Sequence, residues 1–144
     1  MKAKFLGIDH LGVVVDDLQA AASTWGETLG FTLTGEEELP ERGLAVRFVD
    51  TGGNRVELIA ATREDSEVSG FLNKRGEGLH HVCVRVDDIE AALAGMKQRG
   101  ARLINETPQP GAGGSRVAFL HPKGTHGVLL ELVEYPQSGD PHTP

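Results

Sequence analysis

Four side chains in this 144-residue sequence could share one piece of chemistry: His10, Glu57, His81 and Glu131. His10 stands in Asp9-His10-Leu11-Gly12-Val13-Val14-Val15-Asp16-Asp17. His81 stands in His80-His81-Val82-Cys83-Val84-Arg85-Val86-Asp87-Asp88, an offset of 71 residues. Glu57 lies in Arg55-Val56-Glu57-Leu58-Ile59 and Glu131 in Leu129-Leu130-Glu131-Leu132-Val133, an offset of 74. Two imidazoles and two carboxylates suit a divalent transition ion, and the carboxylates offset its charge. An octahedral ion so held keeps two positions for substrate oxygens, unlike a closed structural zinc site.

Taken singly, each residue has a plainer reading. A lone strand histidine is usually a hydrogen-bonded core or surface residue, and a lone glutamate between apolar neighbours usually marks a solvated strand face. The pairwise recurrence outweighs that reading. Val13, Val15, the Asp pair, Ala20 and Ala21 match Val84, Val86, a second Asp pair, Ala91 and Ala92, and Val46 and Phe48 match Val117 and Phe119. Such an ordered series along two half-chains is an internal repeat. His80 points toward the helix side, His121 and His126 sit in or beside a Gly/Pro-rich turn and His142 is in the tail, so none of them is assigned as a ligand.

Each repeat must place its His and Glu on one strand face. Val13 and Val15 alternate with His10, Gly12 and Val14, so the valines face a covering helix and His10 faces the other way. The same alternation sets His81 opposite Val82, Val84 and Val86, Glu57 opposite Val56 and Leu58, and Glu131 opposite Leu130 and Leu132. Asp16-Asp17 and Asp87-Asp88 offer N-cap oxygens. Leu18, Ala21, Ala22, Trp25 and Leu29, then Ile89, Ala92, Leu93 and Met96, follow at helical spacing. Gly30 and Gly100 are C-cap stops. Strands are expected at Phe31 to Thr34, Leu44 to Asp50 and Arg55 to Ala60, then Arg102 to Asn105, Arg116 to Leu120 and Val128 to Val133. The fold class is therefore α+β, two βαβββ modules (5–62 and 79–135) in one domain with pseudo-twofold symmetry. A linker (63–78) carries a short helix within Ser66 to Arg75, and a Pro- and Gly-rich tail (136–144) is expected to be disordered.

Composition narrows the function. A net charge of −7 without a basic run argues against nucleic acid as a partner. No apolar stretch is long enough to cross a bilayer, and the N-terminus meets Asp9 and His10 before any signal core develops. A single cysteine, Cys83, excludes an intramolecular disulfide and reads as a packed strand residue. A cytoplasmic location is expected.

Beyond the four donors, several segments resemble the methylmalonyl-CoA epimerase family of the vicinal-oxygen-chelate superfamily. They are Ile8-Asp9-His10-Leu11-Gly12-Val13, Leu39-Pro40-Glu41-Arg42-Gly43-Leu44, the linker Glu64-Asp65-Ser66 through Phe71-Leu72, and Arg75 through His81. Pro110 to Gly114 and His121-Pro122-Lys123 through Leu132 follow. The resemblance implies a curved, barrel-like mixed sheet around a metal cavity. It implies one divalent ion per chain, cobalt above zinc, nickel or manganese, a homodimer, and an acyl-CoA substrate. The reaction implied is interconversion of (2R)- and (2S)-methylmalonyl-CoA through a metal-stabilised enolate. Glu131 and Glu57 are the candidate bases, and Arg116, Lys123, Lys74 and Arg75 are candidates for the CoA phosphates. The chain departs from the pattern at Val46, where some relatives carry a glutamate base. Glyoxalase I is the nearest alternative and a metal-free binding protein the next. An extradiol dioxygenase would use one carboxylate rather than two.

Overall fold

The computed structural model of the chain describes residues 2–142. Within these, contacts divide the chain into two compact units. One comprises His10–His80 with His142; the other comprises the residues up to Asp9 with His81–Pro141. The boundary thus falls inside the first strand, β1 (Phe5–Val14), rather than at the linker.

In the His10–His80 unit, β1 continues into α1 (Leu18–Ser23), then β2 (Thr32–Leu39), β3 (Leu44–Asp50), β4 (Arg55–Ala61) and α2 (Ser69–Arg75). The sheet order is β2-β3-β4-β1. β1 runs parallel to β4, with His10 beside Arg55 and Gly12 beside Glu57. β3 runs antiparallel to both its neighbours. Val15, Val49, Val56, Leu58 and Ala60 form the core, with Val13, Leu18, Ala21, Trp25 and Leu33 packed on it, so the valine face meets the helix as expected. Asp17 caps α1 by accepting from the Ala20 amide at 3.1 Å.

The first helix is not regular to Leu29. After Ser23 it widens into a π-turn over Thr24–Thr28, with the Leu29 amide donating to the Thr24 carbonyl and Phe31 to that of Trp25. Trp25 stays on the core through this turn. β2 is longer than expected, since Glu36, Glu37 and Glu38 belong to it. Glutamate is depleted in strands, which ended the expected strand at Thr34, yet an edge strand with a polar outer side accommodates all three.

In the other unit, β5 (Gly78–Val86, from His81 onward), α3 (Ile89–Gln98), β6 (Gln109–Pro110), β7 (Arg116–Leu120) and β8 (Leu130–Glu134) follow in turn. The order is β5-β8-β7-β6, with β5 parallel to β8. Val86, Ile89, Ala92, Leu93, Ala118, Leu120 and Leu132 form its core. Asp88 caps α3 through the Ala91 amide at 3.0 Å.

Arg102 to Asn105 is not a strand. Leu103 makes one isolated bridge to Leu120, and the Asn105 side chain accepts from the Phe119 amide at 2.8 Å, taking the place of a backbone partner. The two-residue β6 pairs with β7 instead, and Pro110, lacking an amide proton, fits only such an edge.

The tail is also more structured than its composition predicts. The Gly139 amide donates to the Pro136 carbonyl, and the His142 ring stacks on Phe48 with centroids 4.0 Å apart. His142 Nε2 lies 2.9 Å from Glu37 Oε1. Gly35 makes this seat possible: its φ is +154°, and an added Cβ would stand 3.0 Å from His142 Nδ1. Residues 143 and 144 of the expected tail lie outside the described residues.

Candidate active site

Each unit assembles one His–Glu pair. In the first, parallel pairing of β1 with β4 sets His10 and Glu57 on the same sheet face, the one turned away from α1. His10 Nδ1 lies 3.2 Å from Glu57 Oε2. In the second, β5 and β8 do the same for His81 and Glu131, with His81 Nε2 3.0 Å from Glu131 Oε1. All four residues are only 4 to 6% exposed. The solvated-face reading of the glutamates therefore fails, because carboxylates so buried need partners.

The repeat extends to the surroundings. Phe48 is directly opposite Glu57 on β3, and Phe119 is directly opposite Glu131 on β7. The Phe119 ring meets His81 edge-on at 5.7 Å. Cys83 pairs in register with Glu131 and is fully buried with Val117, Val133 and Tyr135, which fits the packed strand cysteine expected. Val46 is buried and apolar, so it supplies no proton carrier.

One residue of this site escaped the sequence reading. Arg55 is 4% exposed, and its Nη2 lies 3.1 Å from Glu57 Oε2. Its guanidinium also sits over the Phe48 ring at 5.1 Å. The signal was present, since residues two apart on a strand share a face. The repeat-equivalent position before Glu131 is Leu129, and the arginine on that donor face is Arg85 of β5, whose guanidinium lies over the Tyr135 ring.

The candidate phosphate ligands fare differently. Arg116 is engaged by Glu90 and Glu134, at 2.6 and 2.8 Å, and these two hydrogen bonds, Glu134 foremost, raise its pKa above the ordinary guanidinium value. It is committed to carboxylates of its own chain. Arg75 lies over the Phe71 ring.

Within each pair, an imidazole nitrogen and a carboxylate oxygen meet in a buried position. These are nitrogen and oxygen donors that a divalent transition ion accepts, so the residues fit such an ion.

Residues 9–119 match the Glyoxalase/Bleomycin resistance protein/Dioxygenase superfamily. The mitochondrial methylmalonyl-CoA epimerase of Mus musculus is 40% identical over 128 residues, covering 88% of this chain and 72% of that protein. The chain belongs to the methylmalonyl-CoA epimerase family. A relative from Cereibacter sphaeroides, named ethylmalonyl-CoA/methylmalonyl-CoA epimerase, is 39% identical and covers 88% of this chain and 96% of its own. Among solved structures, a variant of the Streptomyces coelicolor methylmalonyl-CoA epimerase in complex with 2-nitronate-propionyl-CoA superposes with a TM-score of 0.86. It is 38% identical, over 92% of this chain and 99% of that one. The α+β fold of paired βαβββ modules is thus the superfamily's, and the family is one of isomerases. Among the described residues, no helix is long and apolar enough to cross a membrane.

Proposed function

We propose that this chain is a divalent-metal-dependent epimerase that inverts C2 of methylmalonyl-CoA, with His10, Glu57, His81 and Glu131 holding one ion. The observation that carries the reading is the pair of buried His–Glu contacts at repeat-equivalent positions in a member of this family. A bound divalent ion supplies Lewis-acid withdrawal of charge from the thioester oxygen, worth several kcal/mol as the C2 proton leaves.

The remaining chemistry falls to the chain's own groups. Glu131 takes the C2 proton on one face of the acyl group, and the C–H electron pair moves into the thioester. Glu57, protonated, returns a proton to the other face. A single turnover therefore exchanges one proton with the enzyme and inverts one centre, with no net redox change. Phe48 and Phe119, beside the two carboxylates, limit water near them. The native metal is assigned as cobalt, the location as cytoplasmic, and the assembly as a homodimer.

The deciding assay offers the purified protein two substrates, methylmalonyl-CoA and the methylglyoxal–glutathione hemithioacetal. We expect turnover of the first, with C2 deuteration in deuterated water, and little of the second. The reverse pattern would make the chain a glyoxalase.

A further inference from the structure

We infer that His142, carried in by the C-terminal tail, is a positioning residue for Glu57 and acts through the Phe48 ring. The inference rests on the proposed reading of Glu57 as a metal ligand and proton carrier.

Gly35 on β2, Phe48 on β3 and Glu57 on β4 are register partners across three neighbouring strands. Partners in register present their side chains on one sheet face, so the three positions form a row on the face that carries the first His–Glu pair. Gly35 brings no side chain to that row, and the tail fills the place. His142 Nδ1 stands 3.0 Å from where a Cβ at Gly35 would be, and its ring lies nearly parallel to Phe48, at 13° and 4.0 Å between centroids. Glu37, two residues along β2 on the same face, meets the other ring nitrogen, with Nε2 2.9 Å from its Oε1. The imidazole side chain is only 17% exposed. A glycine that leaves the space, an aromatic ring that stacks and a carboxylate that takes one nitrogen together form a built seat.

The role of that seat follows from what Phe48 touches next. The Arg55 guanidinium lies over the Phe48 ring at 5.1 Å, and Arg55 Nη2 reaches Glu57 Oε2 at 3.1 Å. His142, Phe48, Arg55 and Glu57 are thus a continuous line of contacts inside one compact unit, and the line ends on a donor. Phe48 is fully buried, and close-packed interiors transmit a displacement to their neighbours. Without the imidazole, one face of the Phe48 ring loses its neighbour, and Arg55 and Glu57 gain freedom to shift. Groups that orient a metal ligand from outside its coordination shell typically contribute about ten- to a hundredfold in affinity or activity.

The test compares the full chain with His142→Ala, His142→Phe and a chain ending at Tyr135. Cobalt affinity is measured by chelator competition, beside kcat and KM for methylmalonyl-CoA and thermal melting. His142→Ala should weaken cobalt about tenfold and lower kcat by a similar factor, with KM within about twofold and melting nearly unchanged. The shortened chain should match it, because the tail acts through this one residue. His142→Phe keeps the stack without the Glu37 contact and should recover most of the loss. Wild-type affinity and kcat in both His142→Ala and the shortened chain overturn the inference. So does a change confined to KM, which would put the tail in the path of the substrate, and so does a His142→Phe as impaired as His142→Ala. Cobalt affinity is read without turnover, which separates this inference from the epimerase reading. A wild type whose cobalt site depends on His142 but which inverts nothing at C2 refutes the epimerase and leaves the role of His142 standing. A wild type that binds no cobalt refutes the metal reading, and His142 is then judged on kcat alone; one with neither cobalt nor turnover refutes both.

Discussion

Glu57 and Glu131 occupy equivalent strand positions beside equivalent phenylalanines, but only Glu57 shares its strand face with an arginine two residues away. Glu131→Gln is expected to lower turnover by about two to four orders of magnitude, the usual contribution of a positioned acid or base, and glutamine still offers an oxygen ligand. Glu57→Gln should impair turnover severely, and adding Val46→Glu to it should recover activity, since Val46 occupies the position some relatives give to a base. Initial rates from each enantiomer, with deuterium uptake at C2, check both. Full activity in Glu57→Gln would leave that residue a ligand only.

At the scale of elements, the donor faces depend on helices covering the opposite faces of the same strands. Each helix is started by one carboxylate: Asp17 accepts from the Ala20 amide and Asp88 from that of Ala91. α3 also rests its first amide, that of Ile89, on Glu134 at 2.9 Å. Ile89 is fully buried in the core that backs β8. Asp88→Ala should cost about 1 kcal/mol, the typical loss of an N-cap. That corresponds to a melting shift of about 3 °C for a chain of this size. Metal stoichiometry should stay unchanged, because the cap lies on the helix side of the sheet. Calorimetric melting with metal analysis reads both quantities, and metal loss in this variant would mean that the helix cap and the donor face are coupled.

For the molecule as a whole, an ion bound only by the folded chain stabilises it by mass action. At a hundredfold excess over the dissociation constant the gain is about 2.7 kcal/mol. Cobalt should accordingly raise the melting temperature of the metal-stripped protein by several degrees, and a chelator should reverse the rise. His10→Ala and His81→Ala should each fold but lose the metal-dependent rise, because the proposed site takes one donor pair from each half of the repeat. Wild-type metal content in both variants would overturn the ligand assignment.

Much of this was legible in the amino-acid order. Strand side chains alternate with a period of two, so the valines at 13 and 15 and the apolar residues around Glu57 and Glu131 already determined which way the donors face. The repeat then doubled that information. The same local rules set the caps at Asp17 and Asp88, where a side chain reaches an amide three residues on. Tertiary structure decided what depends on partners distant in sequence. The acidic run Glu36 to Glu38 became an edge strand because β3 pairs with it, and Arg102 to Asn105 lost its strand because Asn105 satisfies the Phe119 amide. His142 found Phe48 and Glu37 across about a hundred residues. Arg55 could have turned to Asp50, its register partner on β3, but the fold places its guanidinium on Glu57 and Phe48. Periodicity reports which face a side chain occupies; only the packed sheet selects the neighbour it meets there.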